Sequence, residues 1–520
     1  MNHKIPYQNT KHFSKLVLDY LNQDKKLTSF VNHFPTLDNF EKQIKEKSTH
    51  EINRETLVSV LEKQNAIISL SDISKSNIQL LKDNHTFTIT TGHQLCLFTG
   101  PLYFLYKIIS TINLSEKLKE KYPNNNFIPI FWMATEDHDF QEINHINLYG
   151  KKVLEWEQIR YRITHSQHNR GAMGRMSLNG IERVINVVAR SILGESDHGQ
   201  RLLNLFEKAY LKNQNLADAT RYLVNELFGK YGLVIIDGDN KQLKKQFIPY
   251  IKKDVLEQGF VKTIQESSKK LASSYSAQAF VRDVNFFKLS EEKRELIKGD
   301  ITEREIEENS ERFSPNVLLR PLYQECVLPN IATIGGGAEI AYWMQLKSAF
   351  QQEKMPFPLL VLRNSVMLIS DKQMQIIRAF NFELFDIFKD EHALQKQYII
   401  GRKLSEIDLT NEKEDIKRIY SMISNKISDS GLRDNIKAQL KKQLNALDTL
   451  ELKLIRLEKQ KDKYAVNQIS RLKKQLFPDN SLQERYENFI QFYLKDGNNF
   501  IERLKQNLNP LDPNFVILSD

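Results

Sequence analysis

Three neighbouring stretches set the expected architecture: HTFTITTGHQ (residues 85–94), GPLYFLYKII (residues 100–109) and FIPIFWMATEDHD (residues 127–139). The first and third begin with apolar, β-branched and aromatic runs of strand length, and the second opens with a Gly-Pro pair that suits a helix start. A strand, a helix and a second strand in this order form a βαβ unit with parallel strands. We therefore predict an α/β protein whose parallel sheet is buried on both faces.

Further strands are predicted at Leu233–Ile236, Ile331–Ile334 and Pro358–Leu362, and residues 1–84 have helical patterns. The material between the two dense regions is of mixed type, which indicates an insertion. We divide the chain into N-terminal helices with the first half of the core (1–150), inserted connecting regions (151–310), the second half of the core (311–375), a helical coiled-coil arm (376–480) and a C-terminal helix and tail packing on the core (481–520).

Composition excludes several classes of protein. The chain has 520 residues, of which 41% are hydrophobic and 27% are charged. No window approaches the roughly 18 apolar residues of a membrane span, and no apolar segment follows the N-terminus, so we expect a cytoplasmic protein. The only cysteines, Cys96 and Cys326, exclude a disulfide scaffold and a four-cysteine zinc site.

The net charge of +9 is concentrated in one segment. Residues 435–476 contain eleven Lys or Arg and four Asp or Glu, a difference of +7. Leu440, Leu447 and Leu454 recur every seven residues, and a second series follows three residues later: Gln443, Leu450, Leu457 and Tyr464. This pattern predicts a coiled-coil helix, about 60 Å long if it spans residues 435–476, and no Gly or Pro interrupts the chain between Gly431 and Pro478.

Two functions are open for this arm. Its partner helix is either intrachain, with residues 412–427 as a candidate, or the same arm of a second subunit, which would make a homodimer. Its basic charge would also suit RNA or DNA. We favour dimerisation over nucleic-acid binding because aromatic residues for base stacking are nearly absent.

The first candidate site is the turn Gly92-His93-Gln94 with Thr99-Gly100 and the helix start after it. A glycine lets a ligand approach the backbone, and a helix start favours a phosphate or carboxylate. His93 could donate a hydrogen bond to a developing phosphoryl charge.

The second candidate site is Glu136-Asp137-His138-Asp139, with His145 close behind. Titratable groups directly after a buried strand are expected in the crevice at the carboxyl ends of a parallel sheet. Such groups could take a proton from an amine or hold Mg²⁺ on a nucleotide, and Asp137, His138, Asp139 and His145 could also hold a transition metal.

The third candidate is Gly335-Gly336-Gly337 with Glu339, again between a strand and a helix. It could cradle a phosphate or simply permit tight packing. Charge and stacking surface near this segment are supplied by Arg320, Glu325, Tyr342 and Trp343.

Five motifs in order resemble the cysteine ligases of bacillithiol biosynthesis. They are Thr91-Gly92-His93-Gln94 with Phe98–Tyr103 and Tyr106-Lys107, Phe131–His145, Ser314–Glu325, Gly335–Trp343 and Leu476–Arg485. The resemblance implies a Rossmann-like core related to class I aminoacyl-tRNA synthetases, connecting inserts and a coiled coil that supports dimerisation. It also implies an activity, the joining of cysteine to glucosaminyl-malate through an amide bond.

By the same resemblance, ATP with Mg²⁺ would activate the cysteine carboxyl group, as an adenylate or an acyl phosphate. His93 would contact phosphates, and Asp137 or Asp139, beside His138, would serve as the amine's base or orient the sugar. Tyr103, Lys107 and the distant Lys372 would bind substrate or nucleotide. A zinc site is not expected, because only two cysteines are present. The alternatives are another nucleotide-dependent ligase or nucleotidyltransferase and a non-catalytic RNA-binding scaffold.

Overall fold

A computed structural model describes residues 2–156, 171–291 and 293–519, and side chains are described except at 403–407. The chain forms two compact units. One comprises Asn2–Met367 with Ser481–Ile517, and the other comprises Leu368–Asn480 with the last residues of the chain. Part of the predicted insertion, residues 157–170, lies outside the described residues.

The first unit begins with elements that precede the core sheet: β1 (Asn2–Pro6), α1 (Tyr7–Thr10), α2 (Lys15–Leu21), α3 (Leu37–Ser48), α4 (Arg54–Asn65) and α5 (Asp72–Leu80). The predicted βαβ unit follows as β2 (Thr86–His93), α6 (Tyr103–Lys121) and β3 (Asn126–Met133). Its strands pair in parallel along their whole length, as the sequence predicts.

The middle of the chain continues with α7 (Phe140–Ile143), β4 (His145–Leu148), β5 (Lys151–Glu155), α8 (Ile181–Val188), α9 (Asp197–Leu211), α10 (Leu216–Phe228), β6 (Val234–Asp237), α11 (Lys241–Gln246), α12 (Ile248–Val255), α13 (Val261–Ala272), β7 (Phe286–Leu289), β8 (Arg294–Leu296) and α14 (Glu303–Glu308). The predicted insertion needs one correction here. β6 lies within residues 151–310, yet it pairs in parallel with β3, because its apolar residues are buried like those of the other core strands.

The second half of the core contains β9 (Phe313–Pro315), α15 (Arg320–Val327), β10 (Asn330–Gly335), α16 (Gly337–Met344), α17 (Lys347–Gln352), β11 (Leu359–Leu362) and β12 (Val366–Ile369). After the second unit the chain returns with α23 (Gln483–Tyr486), α24 (Ile490–Asp496), α25 (Asn498–Asn507) and β13 (Asn514–Ser519).

The central sheet has the strand order β11-β10-β2-β3-β6, and all its pairings are parallel. Chain order runs outward from β2 in both directions, so the strand order reverses between β2 and β10. In such sheets the ligand crevice lies outside the carboxyl ends of the strands at this reversal. The structure therefore confirms the predicted α/β class and brings the ends of β2, β3 and β10 to one edge.

Smaller antiparallel sheets flank this core. β4 pairs with β5, and β7 lies between β8 and β9. The strands β1, β13 and β12 form a further sheet in that order. A hydrophobic core of the first unit is formed by residues of the central sheet and α6, among them Phe87, Ile89, Leu114, Ile331 and Val361, all almost fully buried.

The second unit is helical: α18 (Asp371–Ala379), α19 (Glu391–Ile407), α20 (Thr410–Asn425), α21 (Ser430–Lys461) and α22 (Lys463–Leu476). The prediction of one continuous helix is wrong, because the helix is interrupted once. It breaks at Asp462, whose φ of −109° and ψ of 53° are not helical and whose side chain accepts a hydrogen bond from Ala465 N–H at the start of α22.

An intrachain partner for α21 is present. Lys413 of α20 forms ion pairs with Asp448 (2.7 Å) and Glu451 (2.6 Å) of α21. The predicted seam is only partly covered, since Leu450 and Leu457 remain 47% and 53% exposed. No helix in the described part of the chain is both long enough and apolar enough to cross a membrane.

Candidate functional site

A cavity of about 470 Å³ opens at the carboxyl end of β3. Its lining residues come from the end of β3 and the turn after it, from the loop before β7, from β7, β8 and β9 with the residues that follow it, and from α15 and α16: Trp132–Asp137, Gln278–Phe280, Arg282, Phe287, Arg294, Pro315–Val317, Arg320 and Tyr342. Its size is that of a small-molecule site. Among the predicted residues, Glu136, Asp137, Arg320 and Tyr342 therefore share one cavity.

Asp137 is held as a carboxylate. It accepts hydrogen bonds from Gln94 Nε2 (2.6 Å) and from the backbone N–H of His138 (2.7 Å). Burial acts to raise the pKa of Asp137, but the hydrogen bonds from His138 and Gln94 and the charge of Arg294 outweigh it, so the pKa lies below its usual range. A carboxylate with so low a pKa is a poor proton acceptor and a good partner for a cation.

His138 and Arg294 contact each other next to Asp137. Arg294 Nη1 lies 3.1 Å from His138 Nδ1, and its Nε and Nη2 bond Ser314 Oγ (3.1 Å) and Pro315 O (3.0 Å). The guanidinium also stacks 4.1 Å from the centroid of the Phe287 ring. Sequence reasoning missed Arg294, because it lies in the predicted insertion and reaches the site only through the β7–β8 pairing.

Glu136 is an ion-paired residue within the cavity. Its carboxylate contacts Lys244, whose side chain is 1% exposed and also bonds the Glu311 carbonyl at 3.0 Å. Lys244 lies 3.6 Å from Asp239, which pairs with Arg175 at 2.7 Å. This network holds Glu136 in place through Lys244 of α11 and through Asp239, which follows β6. No sequence pattern indicated the network.

His93 lies at the end of β2 and is 8% exposed. Its Nδ1 is 2.9 Å from the Gln94 carbonyl. A carbonyl only accepts, so Nδ1 carries the proton and Nε2 of the neutral ring is an acceptor, not the donor to a phosphoryl group that we expected. Burial and then the charge of Lys107 lower the pKa of His93 to about 3, which keeps the ring neutral.

Lys107 connects the end of β2 with α16, the helix that begins in the glycine-rich segment after β10. Lys107 Nζ donates to the Gly92 carbonyl at 2.7 Å and also contacts Glu339 of α16. A Cβ built on Gly92 would lie 3.9 Å from Arg320 Nη1, so the end of β2 also adjoins the cavity wall. Arg320 in turn donates to the Tyr342 hydroxyl at 3.3 Å. The first, second and third predicted sites thus form one polar edge.

Arg363 directly follows β11, and it was not singled out from the sequence. Its Nη2 donates to Glu484 Oε1 at 2.8 Å, and its guanidinium lies 4.9 Å from the centroid of the Tyr103 ring. Tyr103 is itself beside His93, with the ring centroids 5.2 Å apart. A residue directly after a core strand is the signal that could have found Arg363.

Several predicted site residues have structural roles instead. Glu325 is fully buried and pairs with Lys47 at 3.3 Å, which neutralises it away from the cavity. Asp139 caps α7 by accepting from the Gln141 and Glu142 N–H groups, and Trp343 packs in the core against Phe350 and Phe357.

The remaining predicted residues lie outside the cavity lining. His145 begins β4, where its Nδ1 is 3.0 Å from the Gln141 carbonyl. Gly100 has a φ of +67°, and a Cβ there would lie 2.6 Å from Cys96 Cβ, so the turn requires a glycine at this position. Thr99 is buried in the same turn. Lys372 is exposed on α18, in the second unit.

No group of three or more His, Cys, Asp or Glu side chains suited to a metal ion occurs in residues 2–156, 171–291 and 293–519. The expectation of no zinc site stays a prediction. Burial raises the pKa of the Cys96 thiol to about 12, so it lacks the thiolate character of a ligand or nucleophile.

Two family models cover almost the whole chain. Residues 1–364 match the N-terminal Rossmann-like domain of the bacillithiol biosynthesis protein BshC, and residues 366–519 match its C-terminal coiled-coil domain. The chain belongs to the BshC family. This confirms the predicted family and the combination of a Rossmann-like core with a coiled coil.

Curated BshC relatives align from end to end. A protein of Flavobacterium johnsoniae, named "Putative cysteine ligase BshC", is 44% identical over 539 residues and covers 99% of each chain. Relatives of the same name from Christiangramia forsetii and Cytophaga hutchinsonii are 43% and 35% identical. The first covers 99% of this chain and 98% of its own, and the second covers 98% and 97%.

Proposed function

We propose that this BshC-family protein is a ligase that joins L-cysteine to glucosaminyl-malate through an amide bond, the last step of bacillithiol synthesis. The observation that carries the proposal is the end-to-end similarity to proteins named as cysteine ligases, at 44% identity. The cavity at the end of β3 supports it, because it combines an ionised carboxylate with three guanidinium groups, as substrates with both amines and carboxylates require.

The proposed role of each residue follows from its charge. Asp137 orients the amine, or the ammonium group from which it forms, because the low pKa of Asp137 suits it to hold a cation rather than to remove a proton. His93 Nε2 accepts a hydrogen bond from a ligand N–H or S–H. Arg294 and Arg320 face substrate oxygens. Exclusion of water by Trp132, Phe287 and their neighbours strengthens these contacts.

Nucleotide use is the second part of the proposal. The open backbone at Gly92 and Gly336 fits a phosphate, since a Cβ at either position would come within 3.9 Å of an arginine nitrogen. Arg320 and the start of α16 would hold the phosphates, and Asp137 and Glu136 offer oxygen ligands of the kind Mg²⁺ prefers. ATP with Mg²⁺ would supply the activation that a carboxylate needs before an amine attacks it.

The third part concerns assembly and place of action. We propose a homodimer formed through α21, whose exposed leucines match the uncovered side of the heptad pattern. We also propose that the protein acts in the cytoplasm on small-molecule substrates.

The test is the thiol profile of source cells that lack this gene and carry plasmid-borne variants. Mass spectrometry would quantify glucosaminyl-malate and its cysteinylated product. The wild type should restore the product, whereas Asp137→Asn should lower it by about a hundredfold, because the neutral amide can no longer pair with a cationic amine and the loss of one partner of a hydrogen-bonded charge pair costs about 2–5 kcal/mol. Asp300→Asn makes the same change at an exposed loop position and should restore the product fully.

A further variant separates the structural from the catalytic reading of Asp139. Asn caps a helix as well as Asp does, so Asp139→Asn should retain the product if Asp139 only caps α7. An unchanged profile in the gene-deleted cells, or full product with Asp137→Asn, would contradict the proposed activity or the proposed role of Asp137.

A further inference from the structure

The start of α16 is open. Gly336 precedes the helix as its N-cap residue, and no side chain caps it. The N–H groups of Gly337 and Ala338 donate no hydrogen bond within the described part of the chain. An uncapped helix start presents free donors and a positive dipole end to an anion.

An unsatisfied guanidinium nitrogen faces the same point. Arg363 is 5% exposed, and its Nη1 and Nη2 are bonded to Asn364 O, Ser365 Oγ and Glu484 Oε1. Its Nε is buried without a hydrogen-bond partner. A Cβ built on Gly336 would lie 3.9 Å from this Nε. A buried donor without a partner is costly, so an acceptor that reached Gly336 would satisfy Arg363 as well.

A separate cavity of about 370 Å³ adjoins the start of α16 at Gly337 and Ala338, next to Gly336. Gly337 and Ala338 line it together with Lys15 and Arg485, and no acidic residue does. Both of these side chains are exposed, and neither forms an ion pair within the described residues. Lys15 Nζ lies 5.9 Å from the centroid of the Tyr275 ring.

The nearby acids are already neutralised or bonded. Glu339 Oε1 lies 3.9 Å from the Cβ position on Gly336, but Lys107 pairs with this carboxylate. Asp19 accepts a hydrogen bond from Tyr275 at 2.9 Å. The cavity therefore keeps a net positive character.

Gln278 lines both this cavity and the cavity that contains Asp137. A ligand in one is thus adjacent to a ligand in the other. We propose that the cavity at the start of α16 is a subsite for a dianionic group, held by the Gly337 and Ala338 N–H groups, Arg363, Lys15 and Arg485. The proposal rests on the proposed function for the source of the anion, which is either the dicarboxylate of the acceptor substrate or the phosphates of a nucleotide.

The test uses binding alone, so that it does not depend on ligase activity. Isothermal titration calorimetry at low ionic strength would follow L-malate and, separately, inorganic pyrophosphate binding to the full chain. We expect at least one of them to bind at millimolar concentration. Arg485→Ala and Lys15→Ala should each weaken that ligand by about tenfold, the usual effect of losing one charge-assisted contact.

Gly336→Ala is a second, steric variant. Its new methyl group would make only ordinary contacts and its backbone is unstrained, so the fold is retained while the approach to Arg363 is filled. It should weaken the same ligand. Arg183→Ala and Lys63→Ala, at exposed positions on α8 and α4, should change nothing.

The outcome also identifies the anion. Weakened malate binding assigns the subsite to the dicarboxylate, and weakened pyrophosphate binding assigns it to the nucleotide. Absence of binding of either ligand to the wild type, or binding that all three site variants leave unchanged, would overturn the subsite. In that case an altered thiol profile with Asp137→Asn would still leave the proposed ligase activity standing.

Discussion

At the scale of single residues, the environment of His93 matters more than its position after a strand. Its hydrogen bond to the Gln94 carbonyl and its contacts with Tyr103 and Phe104 hold a neutral ring with Nε2 as acceptor. The sequence places a histidine at the crevice but does not reveal which nitrogen is protonated, since that depends on a neighbouring carbonyl.

The neutral state of His93 predicts a pH dependence of stability. Its pKa is about 3 in the folded protein, lowered by burial and then by Lys107, against about 6.5 in an unfolded chain. The unfolded state therefore binds more protons between these values, so the contribution of His93 is complete above about pH 6.5 and is lost as the pH falls towards 3.

The measurement is the free energy of unfolding of the wild type and His93→Gln across this pH range. At neutral pH the wild type should be more stable, by about 1 kcal/mol for the hydrogen bond alone. The difference should shrink or reverse as the pH falls. His85→Gln, at an exposed histidine, controls for the substitution. A difference that stayed constant with pH would show that His93 is not held neutral by burial.

At the scale of elements, the sequence predicts the central strands within a few residues. The run at 85–91 became β2 (Thr86–His93) and the run at 127–134 became β3 (Asn126–Met133), because dense β-branched and aromatic runs are buried on both faces of a parallel sheet. β1 and β13 were missed, because their partners are remote in sequence. The break at Asp462 was missed because an internal Asp can cap a new helix without Gly or Pro.

The candidate site was predicted only in part, for a related reason. Residues at or shortly after the ends of core strands, such as His93 and Asp137, could be found from the pattern alone. Arg294 and Lys244 could not, since they reach the site from β8 and α11 through tertiary pairing. Glu325 was misread because sequence does not show that Lys47, far along the chain, neutralises it.

The half-covered seam of α21 predicts dimerisation at this scale. The leucines at 440, 447 and 454 are partly buried within the second unit, while Leu450 and Leu457 are about half exposed. The double variant Leu450→Glu, Leu457→Glu should convert a dimer into a monomer, because it places charges in an apolar interface. Sedimentation equilibrium would measure the mass, and circular dichroism should show unchanged helix content.

Lys453→Glu is the matched control, because it adds an acid at an exposed position between the two leucines. It should remain dimeric. A wild type that sediments as a monomer, or a double variant that stays dimeric, would contradict dimerisation through this face.

At the scale of the whole molecule, most of the net positive charge lies in the helical arm and little of it in the core. The chain carries +9 in total, of which +7 lies in residues 435–476, so the rest is close to neutral. Part of the charge of the helical unit is used internally, as in the pairs of Lys413 with Asp448 and Glu451. Residues 435–476 contain a single aromatic residue, Tyr464, which leaves little surface for base stacking.

This distribution predicts weak, purely electrostatic binding to RNA. Affinity for a fluorescent single-stranded RNA, measured by anisotropy, should fall log-linearly with salt, by about 0.7 log units per log unit of salt for each neutralised phosphate, and should vanish near physiological salt. Lys441→Gln with Lys442→Gln should lower the slope, whereas Lys63→Gln on α4 should not. Tight binding at physiological salt that has a shallow salt slope and depends on Lys441 and Lys442 would instead favour the RNA-binding scaffold over the ligase, because contacts other than counterion release would then hold the RNA.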